Sequence, residues 1–354
     1  MTRADTVGIV GAGTFGTALG SVLARAGRRV VLWSRDEGVV RSIQTSRQNP
    51  RTPAVPLPEP LEATADPRHL ASAARFLVLA VASTDVRDRS RELGDVIDGS
   101  HIVVHAVGAL AMPSNERVSE VMAHGLPTLK LGVLAGPALP ADLAPELSSD
   151  APSDRAARPS SDGVTLTSSA SMVVASVFDE VVAEGRRLLN APPSLRVYGS
   201  KDLIGVELAS ALSGAYTVAL GLSDGMGIGI GTRAVLITRI VAEATRLGIA
   251  AGAQIKTFAG LAGLGNLLVR ASGASPADAG RSADYRLGRR LAEGGVPAGA
   301  AITEGARAAI AGAELARTLR VRMPVLTGIA AVLAGKVDPR DAAKLVMDSV
   351  ALEE

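Results

Sequence analysis

The sequence of 354 residues predicts an α/β chain in two parts, an N-terminal doubly wound domain over residues 1–199 and an all-helical C-terminal domain over residues 200–354. Three observations carry that expectation. Apolar runs of strand length alternate with helix-period segments through the first half, the pattern of parallel strands joined by crossovers. A glycine-rich turn separates the first such run from the first helix. Beyond residue 200 the apolar spacing becomes three and four, and strand signals all but vanish.

Residues 7–10, Val-Gly-Ile-Val, lead into Gly11, Gly13 and Gly16, which have the spacing G-x-G-x-x-G. Leu19, Val22, Leu23 and Ala26 then recur at helical spacing, so the segment reads strand, tight turn, helix. Gly11 allows the sharp turn, Gly13 has no side chain to block a pyrophosphate, and Gly16 lets the helix approach the strand. Amides from Gly13 through Thr14 and Phe15, at the positive end of the helix, then face the phosphates. A second apolar run, residues 30–33, ends in Ser34-Arg35-Asp36, where a dinucleotide fold reads the ribose. Arg35 suits a 2′-phosphate and Asp36 a ribose hydroxyl. These residues predict a Rossmann domain that binds NAD or NADP, with NADP accepted at least as well as NAD.

The remaining elements follow in order. A helical stretch after Asp36 leads to Asn49-Pro50, and the prolines at 53, 56, 58 and 60 leave residues 57–66 as an extended, turn-rich connection. Residues 76–81 and 102–106 read as buried parallel strands with a helix over 84–96 between them. A further strand, 129–135, runs into Gly136-Pro137, with Lys130 expected at a solvent-facing sheet edge. Residues 145–163 have almost nothing to bury and read as a flexible surface insertion. A strand at 164–168, a helix at 173–189 and a last strand at 195–198 complete the domain. Lys201 and Lys256 read as surface residues near helix starts, and Gly227, Gly229 and Gly231 as close helix packing or a helix break.

Composition narrows the function. Lys plus Arg number 37 against 35 Asp plus Glu, and aromatics are 2%, so neither nucleic acid nor a membrane surface is an expected partner. With no cysteine, disulfides, thiolate nucleophiles and Cys-ligated zinc are excluded. The 4 histidines do not fall at ligand spacing with carboxylates, which argues against a metal site. No basic-then-apolar leader opens the chain and no uninterrupted apolar stretch reaches spanning length, so a soluble cytoplasmic protein without an integral membrane segment is expected.

The second half carries Val197-Tyr198, Gly205-Val206-Glu207-Leu208, Ser223-Asp224-Gly225-Met226-Gly227, Thr232-Arg233, Glu243 and the run from Phe258 to Gly265. Together with the glycine turn, Asn49 and Gly136-Pro137, this succession resembles NAD(P)-dependent glycerol-3-phosphate dehydrogenase over nearly the whole chain apart from residues 145–163. The resemblance implies hydride transfer between NAD(P)H and dihydroxyacetone phosphate, a place in glycerophospholipid metabolism, and Glu304 as a further cofactor-binding position. It leaves room for a homodimer and a small phosphorylated metabolite as partners.

The resemblance also places the chemistry at positions where this chain departs from the family. Val107 stands for a lysine near the substrate, Ser213 for the principal catalytic lysine and Asn266 for the neighbouring aspartate. Arg270 replaces a threonine, and Ser282-Ala283-Asp284-Tyr285 aligns with Ser-Arg-Asn-Arg, which puts Ala283 in the place of the phosphate-binding arginine. Arg281, Arg286 or Arg289 would substitute only if the loop shifts. His105, at the end of a strand, is a candidate replacement acid, against the commoner reading of a buried hydrogen-bonded histidine. A neutral Ser213 cannot stabilise a developing alkoxide as an ammonium does. The expectation is a cofactor-binding member of the family impaired in its reaction, a pseudoenzyme candidate. The alternatives are an active dehydrogenase with altered residues or substrate, and a nucleotide-binding regulatory or interaction protein.

Overall fold

The structure is a computed structural model that describes residues 3–52, 56–144, 170–272, 282–294 and 302–348. The expected insertion at 145–163, the strand at 164–168 and Arg281 lie outside the described residues. Backbone contacts divide the chain into two compact units. The first takes Met1–Val107, Ser119–Leu134 and Ala138–Lys201; the second takes Gly108–Val118, Ala135–Pro137 and Asp202–Glu354. Two short segments from the first half of the chain therefore join the helical unit.

The first unit alternates strand and helix. It runs β1 (Thr6–Val10), α1 (Thr14–Arg25), β2 (Arg29–Trp33), α2 (Glu37–Ser46), β3 (Leu61–Thr64), α3 (Pro67–Ala73), β4 (Phe76–Leu79) and α4 (Val86–Gly94). It continues with β5 (Ile102–His105), α5 (Val118–Gly125), β6 (Leu131–Ala135), α6 (Pro140–Leu143), β7 (Ala170–Ala175), α7 (Asp179–Leu189) and β8 (Leu195–Ser200). The sheet order is β3-β2-β1-β4-β5-β6-β7-β8. β1 pairs in parallel with both β2 and β4, so the order reverses at the end of β1, where the glycine turn begins. In an open α/β sheet that reversal is where ligands bind.

Three expectations are corrected here. Residues 57–66 contain the edge strand β3, whose Leu61 and Ala63 turn inward beside Val30 and Leu32 once the last proline has passed. The helix expected from 173 begins only at Asp179, because Met172, Val173 and Val174 go to β7 and its buried faces. Lys130 precedes β6, an interior strand and not an edge, and its ammonium reaches solvent beside Glu180 at 3.0 Å.

The second unit is helical among the described residues. α8 (Leu203–Gly225) and α9 (Ile230–Ala250) are followed by α10 (Ile255–Phe258), a π turn at Leu261–Gly265, and α11 (Asn266–Arg270). α12 (Ala283–Ala292), α13 (Glu304–Thr318), α14 (Pro324–Leu333) and α15 (Pro339–Asp348) complete it. α8 is the core of the unit, buried continuously from Gly205 to Ser223. Its 23 residues and mean hydropathy of 1.5 make it long and apolar enough to cross a membrane by length and composition only, with Glu207 interrupting the apolar run. Inside this unit 89% of that apolar window is buried, which accounts for its composition. Asp202 fixes its start, with one oxygen accepting from the Gly205 amide at 2.9 Å and the other from the Gln254 amide and the Thr257 hydroxyl. Gly227, at φ +74, and Gly229 and Gly231 have no neighbour within 4 Å of where a Cβ would stand, so this series breaks the helix instead of packing it.

Candidate functional site

Two glycines of the first turn, Gly11 and Gly16, stand where backbone geometry admits no side chain. Gly11 has φ +117, and a Cβ there would lie 2.3 Å from the Ala80 carbonyl oxygen. At Gly16 a Cβ would lie 2.2 Å from the Gly11 carbonyl oxygen, so helix and turn can close only on glycine. Gly13 meets no protein atom within 4 Å. Its missing side chain leaves open space beside the turn. Gly13 also caps α1 without a side-chain hydrogen bond, so the amides of Thr14, Phe15 and Gly16 are not covered by a capping side chain. Buried Asn49 pins the turn from behind, its Nδ2 donating to the Ala12 carbonyl at 3.1 Å and to Thr17 Oγ1 at 2.8 Å.

At the end of β2, Ser34 is buried and its Oγ accepts the Asp36 amide at 3.2 Å, while Arg35 is exposed. Asp36 has other work than a ribose. It caps α2 by accepting the Val39 amide and pairs with Arg51 at 2.8 Å, and the Val39 amide leads in holding its carboxyl below the ordinary range. Sequence reasoning missed Arg89. Its side chain is nearly buried on α4, 5.8 Å from the Trp33 ring centroid and ion-paired with Glu92. Burial first, then the charge of Arg35, lowers its pKa, so two guanidinium groups act on the same end of β2. The signal available was an arginine in the helix that follows β4, the strand beside β1 where the order reverses.

His105 ends β5 fully buried, and its Nδ1 accepts the Val107 amide at 3.4 Å. Val107 is itself buried in the first unit.

The remaining site positions lie in the second unit. Ser213 is buried on α8, and its hydroxyl donates to the Ala209 carbonyl of its own helix at 2.7 Å, with the Ala262 and Gly263 carbonyls of the π turn at 3.3 and 3.0 Å. Asn266 follows that turn and is 2% exposed. Its Oδ1 accepts Arg270 Nε at 3.0 Å, one helical turn on. Arg270 Nη1 faces Asp284 Oδ2 at 3.3 Å, and Asp284 Oδ1 accepts the Gly305 amide at 2.9 Å. α8, α11, α12 and α13 thus converge on one small polar cluster. Ala283 opens α12 and brings no charge to it. Glu304 opens α13 and pairs with Arg307 at 2.7 Å. Arg270 and Asp284 were each singled out in the sequence, but their pairing was not legible there.

Residues 6–156 match the N-terminal part of NAD-dependent glycerol-3-phosphate dehydrogenase, and residues 202–344 its C-terminal part. Glycerol-3-phosphate dehydrogenase [NAD(P)+] of Desulfovibrio desulfuricans is 32% identical over 94% of each chain, and that of Frankia casuarinae 34% identical over 96% of this chain and 95% of its own. The crystal structure of the Coxiella burnetii glycerol-3-phosphate dehydrogenase superposes with a TM-score of 0.82 at 28% identity, covering 98% of this chain and 99% of the other. The chain belongs to the NAD-dependent glycerol-3-phosphate dehydrogenase family. NAD or NADP is the cofactor of this family member. The open space at Gly13 and the uncapped start of α1 fit the group.

Proposed function

We propose that the chain binds NAD or NADP through the turn from Gly11 to Gly16 and reduces dihydroxyacetone phosphate poorly. Nicotinamide, when bound, supplies the hydride for the family reaction. The chain's own task is to orient the ketone and to stabilise negative charge on its oxygen. Ser213 carries the reading. Its single hydroxyl proton is directed into the Ala209 carbonyl and it holds no charge, so it offers no cation to a developing alkoxide. Loss of one such group costs a few kcal/mol in the transition state, on the order of a hundredfold or more in rate. Buried, apolar Val107 offers no second cation.

Oxidation of NADH and NADPH with dihydroxyacetone phosphate, run beside calorimetric titration of both cofactors, tests this. Cofactor binding with turnover far below about 10 per second, an ordinary dehydrogenase rate, is the expected result. Turnover of that order with this substrate overturns it. One observation favours a second reading, an active dehydrogenase with a different substrate. A cation and a carboxylate remain in the polar cluster, at Arg270 and Asp284.

A further inference from the structure

Two guanidinium groups meet at the end of β2, and the protein leaves both short of acceptors. Trp33 closes that strand, and its carbonyl accepts the Gly11 amide at 2.9 Å, which ties it to the glycine turn. Arg89, in the first turn of α4, sets its guanidinium carbon 5.8 Å from the centroid of the Trp33 ring. Arg35 follows Trp33 by two residues, is exposed and has no partner among the described residues. All three belong to the first unit. The Arg89 side chain is only 9% exposed. Its Nε is enclosed without a hydrogen-bond partner, its Nη1 meets Glu92 in an ion pair, and its Nη2 has no acceptor among the described residues. A desolvated guanidinium ordinarily satisfies its five N–H donors; here those on Nε and Nη2 go unmet.

A strut between α4 and β2 would account for the stacking on Trp33 but not for a second cation beside the first. Burial and then the charge of Arg35 lower the Arg89 pKa, and Asp85 and Asp88 on its own helix do not offset them. An apolar side chain of similar length would pack there without that cost. An anion held by both arginines answers the unmet donors and the repulsion together. Position names the anion. With its pyrophosphate at the glycine turn, a dinucleotide brings its adenosine ribose to the end of β2. There NAD carries a 2′-hydroxyl, and NADP a phosphate monoester with a charge of about −1.5 to −2 at neutral pH. We infer that Arg89 is a specificity-determining residue for the cofactor: fixed over Trp33, it forms with Arg35 a two-arginine clamp on the 2′-phosphate, and the chain takes NADPH in preference to NADH. The inference rests on the reading that the dinucleotide lies at the turn from Gly11 to Gly16. The two residues divide the work. Arg35 is free to close on the phosphate, while Arg89 is already held by packing and loses little freedom on binding.

Calorimetry on the full chain tests it, with NADPH, NADH, adenosine 2′,5′-bisphosphate and 5′-AMP as probes. The last two differ by the 2′-phosphate alone and carry no nicotinamide, so they report on this end of the cofactor. The bisphosphate should bind at least tenfold tighter than 5′-AMP, and NADPH at least tenfold tighter than NADH. Arg89→Met keeps an unbranched chain against Trp33 and removes the charge; it should weaken NADPH and the bisphosphate at least tenfold and leave NADH within twofold. Arg89→Lys keeps the charge without the planar fork and should retain part of the preference, which keeps the test open if the methionine variant fails to fold. Equal weakening of NADPH and NADH in these variants would make Arg89 a strut and overturn the inference. NADPH affinity unchanged in Arg89→Met would overturn it too. Binding of both cofactors without a preference for NADPH in the unmodified chain would defeat this inference alone, whereas binding of neither would defeat the dinucleotide reading with it.

Discussion

Gly13 tests the dinucleotide site more cleanly than its neighbours, because a side chain there touches no protein atom. Gly13→Val should leave the melting temperature within a few degrees of wild type and weaken NADP binding on the order of a hundredfold, both measurable on one preparation. At Gly11 or Gly16 the same change would strike backbone at 2.3 or 2.2 Å, so lost binding there would report only lost structure. Arg35 stands free of the folding contacts that occupy Asp36. If its exposed guanidinium meets a 2′-phosphate, a charge-assisted contact would contribute about 1.5–3 kcal/mol. Arg35→Ala should therefore weaken NADP by roughly tenfold or more and change NAD little; equal losses for both cofactors would remove that role. Asp98 gives a pH prediction of a different kind. Hydrogen bonds from the Ser100 side chain and amide, with His101 nearby, hold its carboxyl at about 2, below the ordinary 3.8. A depressed carboxyl pKa stabilises the fold above its unfolded value and loses that contribution as pH falls toward the folded one. The melting-temperature gap between wild type and Asp98→Asn should thus close between pH 4 and about 2, the window set by those two values.

Glu243 is what holds α14 to the middle of α9. Its Oε1 accepts the Val325 amide at 2.7 Å, and its Oε2 accepts the Leu326 amide at 3.2 Å and the buried Tyr216 hydroxyl at 3.1 Å. Burial raises its pKa against those same bonds, which act to lower it. Glu243→Ala strands two first-turn amides and a phenol away from water and should cost about 2–4 kcal/mol, read by urea denaturation. Apolar periodicity does not show such a cap, since its partners are 82 and 83 residues apart in sequence. The elements of the Rossmann unit were far more legible. β1, β4 and β5 are short apolar runs buried on both faces, and α1 follows its glycines directly, so local spacing was enough. β3 was hidden by the prolines before it, and β7 by an apolar run whose period does not separate strand from helix.

For the whole molecule, cofactor binding and folding are linked. A ligand at about 100 times its dissociation constant adds about 2.7 kcal/mol to the stability of the state that binds it. NADPH at that level should raise the denaturation midpoint of the first unit, as followed by Trp33 fluorescence, and Gly13→Val should cut the rise to a small fraction. A shift of the same size in the variant would place the nucleotide elsewhere. Two short segments, Gly108–Val118 and Ala135–Pro137, belong to the helical unit although they are threaded between strands of the first. A boundary drawn on sequence at residue 200 does not account for them.

By itself the sequence determined the dinucleotide turn, the alternation of strand and helix, the helical second half and the family, because each depends on residues close together or on motifs that keep their spacing. It also singled out Val107, Ser213, Asn266, Arg270 and Ala283, one position at a time. Only the tertiary structure decided which partners surround such residues. It turned Ser213 toward helix carbonyls, gave Asp36 to a helix cap, brought Arg89 under Trp33, and set Arg270 between Asn266 and Asp284. The reason is physical. A side chain's chemistry depends on the partners that share its low-dielectric surroundings, and in this cluster they come from four helices joined only by the fold.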